Sequence, residues 1–401
     1  MSAHVIVGAS LAGATAAITL REEGQGSITM IGAEPKPPYE RPPLSKAYLR
    51  GEATFDSALV RPADFYAKHD IRTLLGVRAV RVDTTRHFVE LEDLRRVHYD
   101  TLLIATGGRN RRLSIPGADL DGIYDLRTVH DADRIREAMN HGRRSVVVGM
   151  GFIGSEVAAS LRGKGLDVTA IDRGKTPLAR VLGEDVGRSI AELHRAHGVR
   201  TVFEDSVAAF EGDGHVARVV TRRGVQLDCD FVVAGIGIDP AVDFLDGSGI
   251  HVDNGVVVDE FLETNVRDIF AAGDVANHHH PLFRRRLRLE HWQNAVRQGA
   301  AAAHNMLGQR HPYDEIPWFW SDQFDVNLQY VGFHTTSEQR VVRGRLNADG
   351  YLACYINDGK IDAAVGLNRA RDIRRIMPLI RSRLNVDLDR LQDESIDLRS
   401  L

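Results

Sequence analysis

The feature that most constrains this chain is a pattern that occurs twice: an apolar strand, a glycine-rich turn, a helical segment, a second apolar strand and an acid. The first copy covers residues 4–34 and ends at Glu34; the second covers 144–172 and ends at Asp172. In such βαβ units the glycines let the backbone approach a pyrophosphate at the helix N-terminus, and the acid binds a ribose. Two copies predict two bound dinucleotides.

The match is not perfect in the first copy, because Ser10 stands where the middle glycine is expected. Serine is small, so close approach of a phosphate is still possible. In the second copy, Asp172 follows Gly149 at about the 20-residue spacing that the pattern requires. One such motif is a weak signal, since glycine turns between strands and helices are common. Two complete units in one chain are a strong one.

Length and composition exclude several other classes. The chain has 401 residues, 43% of them hydrophobic, which is enough for two or three domains of roughly 100–200 residues. Its formal charge of −4 does not indicate nucleic-acid binding. No apolar run approaches the roughly 20 residues of a membrane helix. The start shows no basic region and no cleavable apolar segment, so we expect a cytoplasmic protein.

The two cysteines, Cys229 and Cys354, are far apart and form no Cys-x-x-Cys pair. We therefore predict no metal site and no redox disulfide, and we expect both thiols to be core residues. The run His278, His279 and His280 has no spacing that lets three side chains converge on one ion, and we predict a solvated loop there.

Further strands end in glycine turns, at 99–108, 231–237 and 264–274. A proline-rich loop at 35–46 could hold Arg41 and Lys46 over a ligand, or be a solvated loop with two cations. Residues 292–307 read as a helix. The last segment, 317–401, alternates short strands (341–345, 352–356, 363–367) with a basic helix at 371–384.

These elements predict an α/β protein with two Rossmann-like nucleotide-binding domains and a C-terminal α+β domain. We place a discontinuous first domain at 1–112 and 242–316, an inserted second domain at 113–241 and the C-terminal domain at 317–401.

The chain resembles the FAD-dependent ferredoxin reductases that use NADH. The resemblance covers essentially the whole chain and rests on the motifs at 7–13, 41–46, 105–108, 149–156, 271–274 and 317–323. It implies the glutathione-reductase fold, with an FAD domain, an inserted NAD domain and a C-terminal interface domain.

The resemblance also implies which residues bind each cofactor. Those expected to bind FAD are Gly8, Ser10, Leu11, Ala12, Gly13, Glu34, Arg41, Lys46, Val80, Ala105, Thr106, Gly107, Arg127, Gly273, Asp274, Trp292 and Trp320. Those expected to bind NADH are Gly149, Gly151, Phe152, Ile153, Gly154, Glu156, Asp172 and Gly237. Asp172 would repel the 2′-phosphate of NADPH, although Arg173 follows it, so NADH is favoured.

The residues given a catalytic role are Lys46 and Glu156. By resemblance Lys46 lies near the flavin, where its charge would favour the anionic reduced form, and Glu156 could hold it in place. Several of these residues also have a simpler structural interpretation: Glu156 could be a solvated acid, Arg127 a surface cation, and Trp318 and Trp320 ordinary core residues.

The implied partner is an acidic [2Fe-2S] ferredoxin that serves a haem-thiolate monooxygenase or a Rieske-type dioxygenase. It would dock on a basic face. The candidates for that face are Arg61, Arg284, Arg285, Arg286, Arg288, Arg371, Arg374, Arg375, Arg381 and Arg383. For any single arginine, a solvated charge is the simpler interpretation.

Three alternatives remain. An NADH oxidase, peroxidase or disulfide reductase would need a cysteine beside the flavin, where this chain has Leu44, Ser45 and Lys46. A reductase of rubredoxin or of a small organic acceptor fits the same motifs. An interaction module related to apoptosis-inducing factor would show longer basic runs and an insertion in the last domain.

Overall fold

The structure is a computed structural model that describes residues 2–335, 339–346 and 350–401. The chain forms two compact units. The first unit comprises residues 1–40, 56–109 and 238–317, and the second comprises 41–55, 110–237 and 318–401. The second unit thus holds both the predicted NAD domain and the predicted interface domain. The finer domain boundaries given above stay a prediction.

Short strands occur throughout the described residues. They are β1 (Ala3–Val7), β2 (Ser27–Gly32), β3 (Ile71–Leu75), β4 (Ala79–Asp83), β5 (Phe88–Leu91), β6 (Arg96–His98), β7 (Thr101–Ile104), β8 (Gly108–Asn110), β9 (Ile123–Asp125), β10 (Arg144–Val148), β11 (Asp167–Ile171), β12 (Arg200–Val202), β13 (Val207–Asp213), β14 (His215–Thr221), β15 (Gln226–Asp228), β16 (Phe231–Ala234), β17 (Ile238–Pro240), β18 (Val256–Val258), β19 (Ile269–Ala271), β20 (Ala276–His280), β21 (Arg285–Leu287), β22 (Trp318–Gln323), β23 (Val326–Gly332), β24 (Gln339–Gly344), β25 (Tyr351–Asn357) and β26 (Lys360–Leu367).

The helices are α1 (Leu11–Glu23), α2 (Phe65–Lys68), α3 (Val129–His141), α4 (Phe152–Gly163), α5 (Ala179–Leu182), α6 (Glu184–Ala196), α7 (Trp292–Met306), α8 (Ala370–Ser382) and α9 (Leu388–Gln392). Short 3₁₀ turns include Pro42–Ser45 and Gly273–Val275. Among the described residues, no helix is long and apolar enough to cross a membrane.

The first unit is built on a parallel sheet of order β19-β7-β1-β2-β3. In β1 the consecutive residues Val5, Ile6 and Val7 are all buried. Neighbouring residues of a strand point to opposite faces, so both faces of this strand are covered, as an inner parallel strand requires. Two small sheets, β4-β5-β6 and β18-β20-β21, complete the unit.

The histidine run in the first unit corrects one prediction. His278 and His280 lie in β20 and are fully buried, so the expected solvated loop is wrong. Alternate residues of a strand share one face, so His278 and His280 lie on the same side of β20. There His278 is hydrogen-bonded to Gln298 and His280 to the Glu315 carbonyl. Among the described residues, no cluster of His, Cys, Asp or Glu could hold a metal ion.

Helices α1 and α7 of the first unit cross at very close range. Gly299 of α7 has no space for a methyl group, since a Cβ there would overlap the carbonyl oxygen of Ala12 and lie 3.1 Å from its carbonyl carbon. The small side chains on α1 (Ala12, Ala16) let the helices approach. The glycine-rich turn before α1 is thereby fixed by a helix from the far end of the unit.

Gly299→Ala is expected to lower the free energy of unfolding by about 1–3 kcal/mol, because backbone atoms of α1 must move to admit the methyl group. Urea denaturation measures the change. Gly163→Ala is the control: Gly163 ends α4, has no atom within 4 Å of the added carbon, and should be neutral or stabilising by up to about 1 kcal/mol. Equal stability of the two variants would contradict the close crossing.

The second unit contains a parallel sheet of order β12-β11-β10-β16-β9. It also contains an antiparallel sheet of order β22-β23-β26-β25-β24, on which α8 packs through Ile373, Ile376 and Ile380. Their spacing places three apolar residues on one helix face. The three strands predicted for the C-terminal segment are present, but β22 and β23 were missed. Both cysteines are buried, as expected.

Candidate functional site

The two glycine-rich turns have the same internal geometry. The Gly8 N–H donates to the Ile31 carbonyl and the Gly149 N–H donates to the Ile171 carbonyl, both at 2.8 Å. Both residues have positive φ, 123° and 92°. A Cβ on Gly8 would overlap the Ala105 carbonyl, and one on Gly149 would overlap the Gly235 carbonyl. The first glycine of each turn is therefore required by the fold of the turn itself.

The last glycine of each turn is equally constrained. A Cβ on Gly13 would overlap the Gly8 carbonyl, and a Cβ on Gly154 would overlap the Gly149 carbonyl. These glycines bring each helix directly onto the preceding strand, which is the packing role that the third glycine has in dinucleotide-binding units. The repeat seen in the sequence is thus a repeat in the structure.

The middle position differs, because it is open. A Cβ on Gly151 would meet no atom within 4 Å, and Ser10 occupies the corresponding place in the first turn. Within the described residues, no side chain caps α1 or α4, and neither helix has an acid in its first turn. The N-terminus of α4 therefore presents N–H groups and a positive dipole end beside open space, which fits a pyrophosphate, and the N-terminus of α1 is likewise uncapped.

In the first unit, the carboxyl ends of β1, β7 and β19 lie side by side and carry the predicted FAD residues. Gly8 follows β1, Ala105 follows β7, and the Gly273–Val275 turn follows β19. Gly273 has φ +81° and sits against Ala12, since a Cβ on it would be 3.1 Å from the Ala12 Cβ. This edge of a parallel sheet is where such folds bind ligands.

Other predicted residues of the first unit lie in several different elements. Glu34 follows β2 and accepts a hydrogen bond from the Tyr39 hydroxyl. Thr106 donates to the Ala241 carbonyl at 2.7 Å, and Gly107 has φ +65°. Trp292 begins α7, and Val80 is exposed to 46%. The roles of these residues toward FAD stay predictions.

In the second unit, Asp172 follows β11 and supports its own glycine turn. Its Oδ2 accepts the Met150 N–H at 2.6 Å and its Oδ1 accepts the Gly174 N–H at 2.7 Å. Gly237 has φ +101° after β16, and its carbonyl accepts the Arg111 N–H at 2.9 Å. Phe152 and Ile153 open α4, and Ile153 is 44% exposed. The ribose-binding role of Asp172 stays a prediction.

The Lys46–Glu156 pair forms in the second unit. Lys46 Nζ lies 2.7 Å from Glu156 Oε2, and the Glu156 side chain is 4% exposed. Ser45 donates to the same carboxylate oxygen, and Ser321 donates to Oε1 at 2.8 Å. The reading of Glu156 as a solvated acid is therefore wrong. Three donors converge on a buried carboxylate and fix the ammonium group of Lys46.

The remaining predicted residues also belong to the second unit. Arg41 donates to the Arg127 carbonyl. Trp320 is half-buried, stacks on Trp318 with ring centroids 5.4 Å apart and donates to Asp322 at 3.1 Å. Two partners of Glu156, Ser45 and Ser321, were given no role from the sequence. Serines carry no signal of their own, although both lie inside motifs of the resemblance.

The candidate docking arginines divide by exposure and bonding. Arg286 and Arg288 donate to backbone carbonyls, and Arg288 is 11% exposed and paired with Glu290. Arg375 and Arg383 pair with Asp397 and Asp362. Arg371 and Arg374 are exposed on α8, on the face opposite its buried isoleucines. These two are the strongest candidates for contact with a partner.

The chain has a parallel-sheet unit with one glycine-rich nucleotide-binding turn, a second such turn, and an antiparallel C-terminal sheet. This combination defines a flavoprotein reductase of the glutathione-reductase fold. The chain belongs to the pyridine nucleotide-disulphide oxidoreductase family, which matches residues 2–299, and residues 318–401 match the reductase C-terminal family. The fold class and the family expected from the sequence are thus confirmed.

Relatives match over nearly the full length. The chain is 37% identical to rhodocoxin reductase of Rhodococcus erythropolis over 398 residues, covering 98% of this chain and 93% of that protein. It is 39% identical to the anthranilate 1,2-dioxygenase system ferredoxin–NAD(+) reductase component of Burkholderia cepacia over 402 residues, covering 99% and 98%. The reductase in the covalent putidaredoxin reductase–putidaredoxin complex matches with TM-score 0.96 and 36% identity, covering 100% and 97%.

Proposed function

We propose that this chain is an FAD-dependent NADH:ferredoxin reductase. It takes hydride from NADH and passes single electrons to a [2Fe-2S] ferredoxin that serves a haem-thiolate monooxygenase or a Rieske-type dioxygenase. Rhodocoxin reductase, the reductase component of the anthranilate 1,2-dioxygenase system and putidaredoxin reductase all match along nearly the whole chain. The enzyme class, FAD, NAD(H) and the ferredoxin partner predicted from the sequence are therefore confirmed.

The observation that best supports this function is that the chain has two glycine-rich nucleotide-binding turns and no cysteine thiol that could act in catalysis. Cys229 and Cys354, the two cysteines of the sequence, are both buried. Burial raises the pKa of each thiol to about 12, so neither is a thiolate at neutral pH. A disulfide relay of the kind used by disulfide reductases and peroxidases has no residues here.

Bound FAD supplies the chemistry, since a flavin accepts two electrons as hydride and releases them one at a time. The protein's part is to bind and orient. The turn at 8–13 and the N-terminus of α1 would hold the FAD pyrophosphate, with Asp274 and Glu34 as further anchors. The turn at 149–154 and the N-terminus of α4 would hold NADH, with Asp172 near the ribose.

Lys46 is proposed to act electrostatically. The buried Glu156 carboxylate fixes the Lys46 ammonium group, so the position of this group is set by the protein itself. Placed beside the flavin, as in the family it resembles, it would stabilise the negative charge gained on reduction. Glu156 would offset part of that effect, because its own charge is opposite and equally fixed.

Lys46→Met and Glu156→Gln are expected to move the flavin midpoint potential in opposite directions. Loss of the cation lowers it, and loss of the nearby anion raises it, each by about 30 mV, or about 1.4 kcal/mol for a two-electron couple. Equilibration with a redox dye of known potential measures both shifts. Lys68→Met, which removes an exposed lysine, is the control. Shifts of the same sign, or none, would contradict the role.

The function is tested by titrating the purified protein with NADH in the absence of oxygen. The FAD absorbance should bleach with one equivalent of NADH. Electrons should then reach cytochrome c when an acidic [2Fe-2S] ferredoxin is added, and far more slowly without it. Turnover with rubredoxin or a small quinone, and none with any ferredoxin, would assign the acceptor to the alternative class. A protein without bound FAD would overturn the proposal.

Two finer points are part of the proposal. The cofactor-binding roles follow the positions given above, and the ferredoxin would dock on a basic surface that includes Arg371 and Arg374 of α8. We also propose that the protein works in the cytoplasm. Two buried, unlinked thiols are typical of a reducing compartment.

A further inference from the structure

Helix α7 carries a buried carboxamide that reaches the Gly273–Val275 turn. Gln298 is fully buried, and its Oε1 accepts the Gly273 backbone N–H at 2.9 Å. Its Nε2 donates to His278 Nδ1 at 3.1 Å. A glutamine in the middle of a helix normally faces water, so its burial here requires both ends of the amide to be bonded.

The two partners of Gln298 decide which way round its amide lies. The Gly273 N–H can only donate, so it must meet the amide oxygen, and the amide nitrogen must then face the ring of His278. That ring offers an acceptor only when Nδ1 is unprotonated. Burial, followed by the charge of His280, lowers the pKa of His278 to about 3. The neutral ring and the amide orientation are therefore mutually consistent at physiological pH.

The turn is held from a second side as well. Arg288, which is 11% exposed, donates from Nη1 to the Asp274 carbonyl at 3.1 Å and pairs with Glu290. Gly273 itself sits against Ala12 of the first glycine turn. Its positive φ of 81° is a conformation that relaxes easily without bonds to hold it. Gln298 and Arg288 thus fix consecutive residues of one turn.

We infer that Gln298, oriented by His278, is a positioning residue that holds the Gly273–Asp274 turn in the conformation that binds FAD. The inference rests on the proposed FAD site in the first unit. Gln298 does not need to touch FAD, because it acts through the Gly273 N–H. The buried histidine run therefore has a structural role, because His278 orients Gln298 and Gln298 holds the turn.

Two substitutions separate positioning from simple loss of stability. Gln298→Met keeps the length of the side chain but leaves the buried Gly273 N–H without an acceptor. An unpaired buried donor costs enough to weaken FAD binding about tenfold or more at every pH. Gln298→Glu keeps an acceptor for Gly273 and places its second oxygen against His278 Nδ1. The neutral ring can carry its proton on Nδ1 and donate it to that oxygen, so both bonds of the amide are replaced.

The Gln298→Glu variant should therefore lose much less FAD affinity than Gln298→Met at every pH tested. The titratable and charged groups that face His278 are His280 and His279 of its own strand, Tyr313, and Arg286 of β21. None of these groups is altered by either substitution. Rescue by a side chain that keeps the acceptor is not expected of a residue that merely fills space.

The experiment strips FAD from each holoprotein, adds FAD back and measures the dissociation constant by the quenching of flavin fluorescence between pH 5.5 and 8.5. Asn305→Leu is the matched control. Asn305 is a buried amide on the same helix whose bonds go to Phe261 and His311. It should lower the melting temperature and change FAD affinity less than about twofold.

Unchanged FAD affinity in Gln298→Met, an equal loss in Asn305→Leu, or a Gln298→Glu variant that loses as much affinity as Gln298→Met would each overturn the inference. Such results would leave the proposed function standing, because the wild type would still bind FAD. A wild-type protein that takes up no FAD would instead sink the proposed function itself.

Discussion

Gly151→Val is expected to stop NADH from reducing the bound flavin while the protein remains folded and yellow. Gly151 has φ −72° and ψ −171°, which valine readily adopts, and its Cβ position is open. The new side chain therefore meets no protein atom at Cβ, but fills the space in which the pyrophosphate of NADH would lie. The variant should therefore lose NADH binding and keep its fold.

The size of the effect follows from the contacts that the ligand forfeits. A hydrogen bond from a backbone N–H to a charged phosphate contributes about 1.5–3 kcal/mol, and 1.4 kcal/mol is a factor of ten. Losing two such bonds raises the NADH concentration needed for half-maximal flavin reduction at least about a hundredfold. Stopped-flow absorbance of the flavin measures it, and dithionite should still bleach the flavin at the wild-type rate.

Gly163→Val supplies the matched comparison. Gly163 ends the same helix and is also open, yet it lies at the end that faces away from the glycine turn. NADH should reduce this variant normally. If Gly151→Val were also reduced normally, the second turn would not be the nicotinamide-nucleotide site.

Reversal of the charges at Arg371 and Arg374 should slow ferredoxin reduction by about 10- to 100-fold at low ionic strength. Both guanidinium groups are exposed on α8, and steering of an acidic partner by a basic surface contributes that much to an association rate. Reduction of ferricyanide by NADH should persist, since it needs no docked protein. Rates measured from about 10 mM to 500 mM salt should converge, because salt screens exposed charges.

The control for this variant has the same change in net charge at another place. Arg222 and Arg223 are exposed between β14 and β15 of the second unit, and replacing both by glutamate should leave ferredoxin reduction within about twofold. An equal loss in the two double variants would mean that total charge, rather than a surface on α8, governs the encounter.

Much of the nucleotide-binding framework was predictable because it depends on local rules. Gly8 and Gly149 sit in backbone conformations that only glycine adopts easily, and Gly13 and Gly154 lie where any side chain would strike a carbonyl. Such constraints leave a mark in the sequence. The resemblance extended this to Lys46 and Glu156, whose ion pair the structure contains.

What the sequence did not predict depends on pairing between distant residues. The histidine run was assigned to a solvated loop because three consecutive side chains cannot easily converge on one metal ion. Their burial depends on Gln298, Glu315 and Tyr313, which come later in the chain. Strand β22 is hard to predict because its buried face combines Phe319 with the polar Ser321 and Gln323. Strand β23 does show the apolar alternation of a half-buried strand and was overlooked. Asp172 was assigned to a ribose, although its carboxylate also accepts the Met150 N–H of the second glycine turn and the Gly174 N–H of its own loop.

The close crossing of α1 and α7 has a consequence for how the protein is made. Ala12 leaves the ribosome early, whereas Gly299 follows about 290 residues later, and at roughly 5–20 residues per second that interval is about 15–60 s. During this time the nascent first turn lacks the helix that fixes it. Flavin uptake should therefore begin only after α7 has left the ribosome, late in the synthesis of the chain.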